Sequence, residues 1–163
     1  MRYFRVTERH HQPGMVLSAG HWGSVFETYR VQLTPNWDVL TDQGPFAPWR
    51  LASELIFETV RLKEFPNRPS RLECAYVWDD EAEARKSMHE SPGTRLEEVE
   101  IIDPDALRFR ADFFLVSAFA RFRQPTHFLP STREVARKYW AGKELRVPEL
   151  LVMSDLRVLG PVA

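Results

Sequence analysis

Val147-Pro148-Glu149-Leu150-Leu151-Val152 sets one carboxylate inside a run that otherwise reads as a buried strand. Taking an ionised carboxylate out of water costs several kcal/mol unless it is paired or hydrogen-bonded. Glu149 is therefore either a satisfied structural group or a reactive one. Downstream, Ser154-Asp155 is a candidate tight turn with strand material on both sides. Upstream, Ser131 with Glu134 three residues later forms a capping-box pattern, and Val135, Ala136, Tyr139 and Trp140 make one helical stripe. Gly142 stands where a C-cap belongs.

The N-terminal half alternates in the same manner. Tyr3 to Thr7 is short, aromatic and β-branched, and turn chemistry through Pro13-Gly14 ends it, so it predicts a first strand. Met15 to Pro48 is rich in Gly and Pro without a sustained period and predicts an irregular region with short strands around Ser24 to Gln32. Pro48 suits a first helical position; Leu51, Leu55, Ile56 and Val60 then repeat at helical spacing until Phe65-Pro66 stops them. Arg71 to Trp78 predicts a strand, Asp79-Asp80 a cap for a helix over Glu81 to Met88, and Arg95 to Ile102 another strand. Ala106 to Phe122 is ambiguous: Leu107, Phe109 and Ala111 alternate, Phe113-Phe114-Leu115 does not, and a helix is expected from about Asp112.

With 163 residues, 44% hydrophobic and 28% charged, the chain predicts one α+β domain, residues 1–163, with a substantial core. The 22 basic and 23 acidic side chains nearly cancel, so no strong overall field attracts nucleic acid or an anionic membrane. Cys74 is the only cysteine, which excludes an intrachain disulfide, and no apolar run approaches the length of a membrane span. Together with the absence of a signal-peptide core after Met1, this makes a reducing cytoplasm the expected compartment and a membrane partner unexpected.

Self-sufficient motifs are missing. There is no GxGxxG, GxxxxGK[ST] or HExxH, and Gly14, Gly20 and Gly23 have the wrong spacing for a phosphate loop. His10, His11, His21, His89 and His127 make no paired ligand spacing, and one cysteine cannot build a thiolate zinc site, so no metal is expected. Cys74 reads as a buried, inert thiol.

Three segments taken in order resemble the ADP-ribosyltransferase superfamily, in particular small bacterial members catalogued as a domain of unknown function. Tyr3-Phe4-Arg5-Val6-Thr7 looks like that fold's opening strand. Phe65-Pro66-Asn67-Arg68-Pro69-Ser70-Arg71-Leu72-Glu73-Cys74-Ala75-Tyr76 looks like its Pro-Ser-Arg block leading into an aromatic-bearing strand. Tyr139-Trp140-Ala141-Gly142 and then Pro148-Glu149-Leu150-Leu151-Val152 look like a helix end and the strand of the catalytic Glu. The resemblance implies a split two-sheet fold with flanking helices, NAD as co-substrate in a cleft between the sheets, and transfer of ADP-ribose to an acceptor. In that reading Glu149 stabilises the positive charge on the sugar as nicotinamide leaves, and Tyr76 stacks on the nicotinamide. Arg5 holds the ribose or pyrophosphate, and Arg71 and Ser70 are further cofactor-binding candidates. It also implies a toxin-like activity with a neutralising partner protein.

The chain departs from the family pattern twice. Many relatives carry His where Arg5 stands, and arginine-modifying members place Glu or Gln where Val147 stands, which points away from protein arginine as acceptor. An NAD glycohydrolase, an RNA 2'-phosphotransferase and a non-catalytic interaction module remain as alternatives. Without the resemblance, Glu149 reads as a structural carboxylate satisfied by Arg5 or Arg71, Tyr76 as core, and Tyr139 and Trp140 as helix-face packing.

Overall fold

The computed structural model describes residues 2–24, 48–89, 93–116, 128–143 and 145–162, and within it Glu149 lies on a strand paired along both edges. In chain order the elements are β1 (Tyr3–Thr7), β2 (Val16–Leu17), α1 (Pro48–Glu64), β3 (Ala75–Val77) and α2 (Glu81–His89). There follow β4 (Arg95–Ile101), β5 (Arg108–Asp112), α3 (Phe128–Ala141), β6 (Pro148–Val152) and β7 (Leu156–Pro161). The strands form two antiparallel sheets, one ordered β1-β4-β7-β2 and the other β3-β6-β5. A single bridge, Phe4 to Trp78, joins the edge of the first to the end of β3.

Alternation along β6 divides the core. Side chains two apart share a face, so Leu150 and Val152 point one way and Glu149 and Leu151 the other. Leu150 and Val152 join Ala75 and Val77 of their own sheet and Tyr3, Val99, Ile101 and Leu156 of the four-stranded sheet in a buried inter-sheet layer. Leu151 packs instead with Phe57 and Val60 of α1, Ala136, Tyr139 and Trp140 of α3, and Phe109 and Ala111 of β5. Trp140 is fully buried, stacked on Phe109 with ring centres 5.8 Å apart, and its indole N–H donates to Phe57 O at 2.9 Å. The outer face of the four-stranded sheet is covered in part by α2, through Ala84 against Phe4, Leu96 and Trp78.

The first strand, α1, α2, β4 and the Gly142 cap follow the expectations, Gly142 taking φ +61° with its N–H on Tyr139 O. Asp80 provides the cap for α2, its Oδ1 accepting the Glu83 N–H at 3.0 Å. Other expectations are refined or changed. The strand expected from Arg71 begins only at Ala75, because Ser70 O accepts the N–H of both Glu73 and Cys74 and winds residues 70–74 into a turn. The ambiguous segment does turn helical at about Asp112, as expected: β5 ends there, helix begins at residue 113, and Asp112 Oδ1 caps the Phe114 N–H at 3.1 Å. The helix expected to start at Ser131 starts at Phe128, so Ser131 is not its cap.

Ser154-Asp155 is flanked by strands as expected, β6 before it and β7 after it, but it does not close a hairpin. β6 and β7 belong to different sheets, because Leu150 and Val152 before the turn and Leu156 after it all bury into the layer between them. Along α1 the buried residues are Ser53, Glu54, Phe57 and Val60, while Leu55 is 54% exposed. Of the expected apolar stripe Val60 is buried, Leu51 and Ile56 are half-buried and Leu55 faces outward. Of the strands expected around Ser24 to Gln32, Ser24 is helical and residues 25–32 lie outside the described residues, as do 117–122 of the ambiguous segment.

Candidate functional site

The turn at residues 70–74 carries Arg71 inward, where it is 5% exposed. Its guanidinium lies between two carboxylates: Nε and Nη2 donate to Glu54 at 3.0 and 3.1 Å, and Nη1 donates to Glu149 Oε1 at 3.0 Å. The Tyr139 hydroxyl donates to the same Oε1 at 2.8 Å and accepts from Arg71 Nη1. Both hydrogen bonds to Glu149 thus end on one oxygen; from the described residues Oε2 accepts none. Tyr76, opposite Leu151 in the β3-β6 register, lies on the same face and donates its hydroxyl to Arg71 O. Its ring centre is 5.1 Å from the Arg71 guanidinium carbon.

Burial dominates the electrostatics. Glu149 is 2% exposed, and desolvation raises its pKa above the ordinary carboxylate range although Arg71 and the Tyr139 hydrogen bond pull the other way. Desolvation likewise raises the pKa of Tyr139 and Tyr76, which stay protonated donors at neutral pH. Burial works against the Arg71 cation, but Glu54, the two tyrosines and Glu149 outweigh it, and its pKa rises. The Cys74 thiol beside them is pushed up to about 12 by burial, which leaves it protonated and unreactive.

Glu54, Arg71, Tyr139 and Glu149 are buried, whereas Tyr76 is half-buried, with its hydroxyl on Arg71 O. Trp22, also half-buried, closes the Glu54 end by donating its indole N–H to Oε1 at 3.0 Å. Two glycines allow that approach. Gly20, at φ +78°, donates to Cys74 O, and Gly23 donates to Leu72 O at 3.1 Å with so little clearance that a Cβ would stand 2.3 Å from that oxygen. Gly23→Ala is expected to push residues 19–24 off the 70–74 turn and to cost about 1–3 kcal/mol, as overpacking does. A melting temperature unchanged from wild type would contradict this close contact.

The structure brings together Glu149, Arg71 and Tyr76, with Ser70 at the edge, where its hydroxyl donates to Glu58 and accepts the Leu72 N–H. Arg5 is not among them. It lies on the four-stranded sheet, 3.8 Å from Glu97 and 3.4 Å from His11, whose Nδ1 and backbone N–H both meet the buried Glu97 carboxylate. Burial lowers the Arg5 pKa. The expected cleft between the sheets is also corrected, since Glu149 and Tyr76 face the helices. Arg71, expected as an anion binder, has Nε, Nη1 and Nη2 all engaged within the protein. The residues that sequence reasoning missed are Glu54, Trp22 and the hydroxyl of Tyr139. Tyr139 was legible only as packing, and Glu54 sat on what looked like the wrong face of α1. Among the described residues no group of His, Cys, Asp and Glu side chains is placed to hold a metal, and no helix is long and apolar enough to cross a membrane.

Fold and site together define an α+β protein of two antiparallel sheets and flanking helices, with a buried Glu-Arg-Glu-Tyr cluster on the helix face of the smaller sheet. Residues 36–162 match the family described as "Protein of unknown function (DUF2441)", and the chain belongs to that family. None of the curated proteins matches the chain.

Proposed function

We propose that this protein is an NAD-dependent mono-ADP-ribosyltransferase of ADP-ribosyltransferase-like fold, with Glu149 acting on the nicotinamide-ribose bond. The observation that carries the reading is the asymmetry of Glu149: Oε1 is held by Arg71 and Tyr139, while Oε2 accepts no hydrogen bond from the described residues. A carboxylate held through one oxygen, with the other free of a hydrogen bond from the described residues, has acceptor capacity left for a ribose hydroxyl and a charge that would stabilise the sugar cation. The C1'–N bond breaks, its electron pair leaves with neutral nicotinamide, and the sugar cation is captured by a nucleophile that loses its proton. Tyr76, half-buried with its ring by the Arg71 guanidinium, is the platform for the leaving nicotinamide. Arg71 serves to hold Glu149, since its nitrogens are already engaged.

The depth of the cluster favours a second reading. With Glu54, Arg71, Tyr139 and Glu149 all buried, the network is also what a keystone of a non-catalytic interaction module would look like. Incubation with NAD labelled on the adenine side, with protein, DNA, 2'-phosphorylated RNA and small-molecule fractions offered separately, decides between them. Nicotinamide release with label in one fraction supports transfer and names the acceptor class. Release without labelled acceptor indicates a glycohydrolase, and loss of the RNA phosphate a 2'-phosphotransferase. Neither NAD binding nor release in any arm leaves the interaction module.

A further inference from the structure

We propose that Glu54 is a positioning residue for Glu149: by holding one edge of the Arg71 guanidinium it confines Arg71 to Glu149 Oε1 and keeps Oε2 free of a second hydrogen bond. The inference rests on the ADP-ribosyl-transfer reading. A guanidinium is a rigid planar fork, and left to itself it grips a carboxylate with two parallel hydrogen bonds, one to each oxygen. Here Nε and Nη2 are turned to Glu54, and Nη1 is the nitrogen that meets Glu149. Glu54 is itself fixed on the buried face of α1, one turn before Phe57, and by the Trp22 indole at 3.0 Å. With Glu54 neutralised, the fork is free to close on both oxygens of Glu149 and to occupy the one that substrate needs.

Charge adds a separable signature. The titratable groups that act on Glu149 are Glu54 from α1, Arg71 and Cys74 from the 70–74 turn and Tyr139 from α3; Tyr76 of β3 shares its face of the sheet, and β5 presents Ala111. Of these, the negative charge of Glu54 opposes ionisation of Glu149 and the positive charge of Arg71 favours it. Removing the first leaves more of the second, so the acid limb of turnover moves to lower pH.

The test uses the whole chain with NAD as probe, comparing wild type, Glu54→Gln and Trp22→Phe for nicotinamide release across pH, with folding checked by circular dichroism. Glu54→Gln is expected to lower kcat by about 10-fold with KM for NAD within about 2-fold, the pattern of a mispositioned group. Its acid limb is expected to shift to lower pH, which a merely structural role would not produce. If Glu54→Gln does not fold, Trp22→Phe, which removes the indole donor to Glu54 while keeping an aromatic ring, carries the same test and is expected to lower kcat in the same direction. A wild-type protein that turns over NAD while the folded variant keeps both kcat and pH limb overturns the positioning role alone. A wild-type protein that neither binds NAD nor releases nicotinamide overturns the parent reading and this inference with it.

Discussion

Arg71→Ala lowers stability by about 3–5 kcal/mol, the loss expected when one partner of a buried ion pair is removed. The reason lies in what is left behind. Glu54 and Glu149 are 5% and 2% exposed, and both are paired with this guanidinium. Deleting it strands two carboxylates in a site that water reaches poorly, together with a Tyr139 hydroxyl that loses its donor. For a chain of this length each kcal/mol is worth roughly 2–4 °C in melting temperature, so a drop on the order of 10 °C is expected by calorimetry. Arg137→Ala supplies the contrast: its pair with Glu64 has side chains 55% and 37% exposed, and exposed pairs contribute about 0–1 kcal/mol. Replacing the triad together, as Glu54→Leu with Arg71→Met and Glu149→Leu, is expected to restore most of the lost stability, because no charge then remains to be desolvated. Equal melting temperatures for Arg71→Ala and Arg137→Ala would show that the buried network is not what holds the helix layer to the smaller sheet.

Glu149→Gln carries the second large effect, a fall of about 10²–10³-fold in nicotinamide release with NAD affinity preserved. The substitution keeps the shape and the acceptor oxygen, so the Arg71 and Tyr139 hydrogen bonds remain possible and only the charge is lost. Stability is expected to move the other way. A carboxyl whose folded pKa is raised contributes stability that is fully present below its unfolded pKa, about 4.3, and is lost as pH rises through the folded value. Wild type carries that loss at neutral pH and the glutamine variant does not, so the variant should melt no lower than wild type above the folded pKa of Glu149. Nicotinamide release at the wild-type rate would remove Glu149 from the chemistry, and a lower melting temperature at neutral pH would give the carboxylate a net stabilising role instead.

Much of the local structure was legible because it depends on neighbours in sequence. The aromatic and β-branched run Tyr3 to Thr7 became β1, and Ala136, Tyr139 and Trp140 became a fully buried helix face. Gly142 took the left-handed conformation that ends that helix. What failed depended on distant partners. Arg71 to Cys74 has the composition of a strand, yet forms a turn whose arginine is drawn inward by carboxylates 17 positions before and 78 after it. In α1, apolar spacing pointed to Leu51, Leu55, Ile56 and Val60; Val60 is buried, but Leu55 is exposed and the helix buries Glu54 with Phe57, where Glu54 meets the Arg71 guanidinium.

The site divides along the same line. From the run Val147 to Val152 alone it followed that Glu149 sits in a buried strand and must be satisfied or reactive, since desolvating a carboxylate has a cost that no local sequence can offset. Which side of the sheet it faces, that Arg71 rather than Arg5 answers it, and that Tyr139 and Glu54 complete the cluster were settled by packing. These choices arise when β6 crosses from one sheet to β7 in the other, and one face of the strand is given to the inter-sheet core while the helices close over the opposite face. Periodicity specifies that a strand has two faces. Only the assembled layers determine what each face meets.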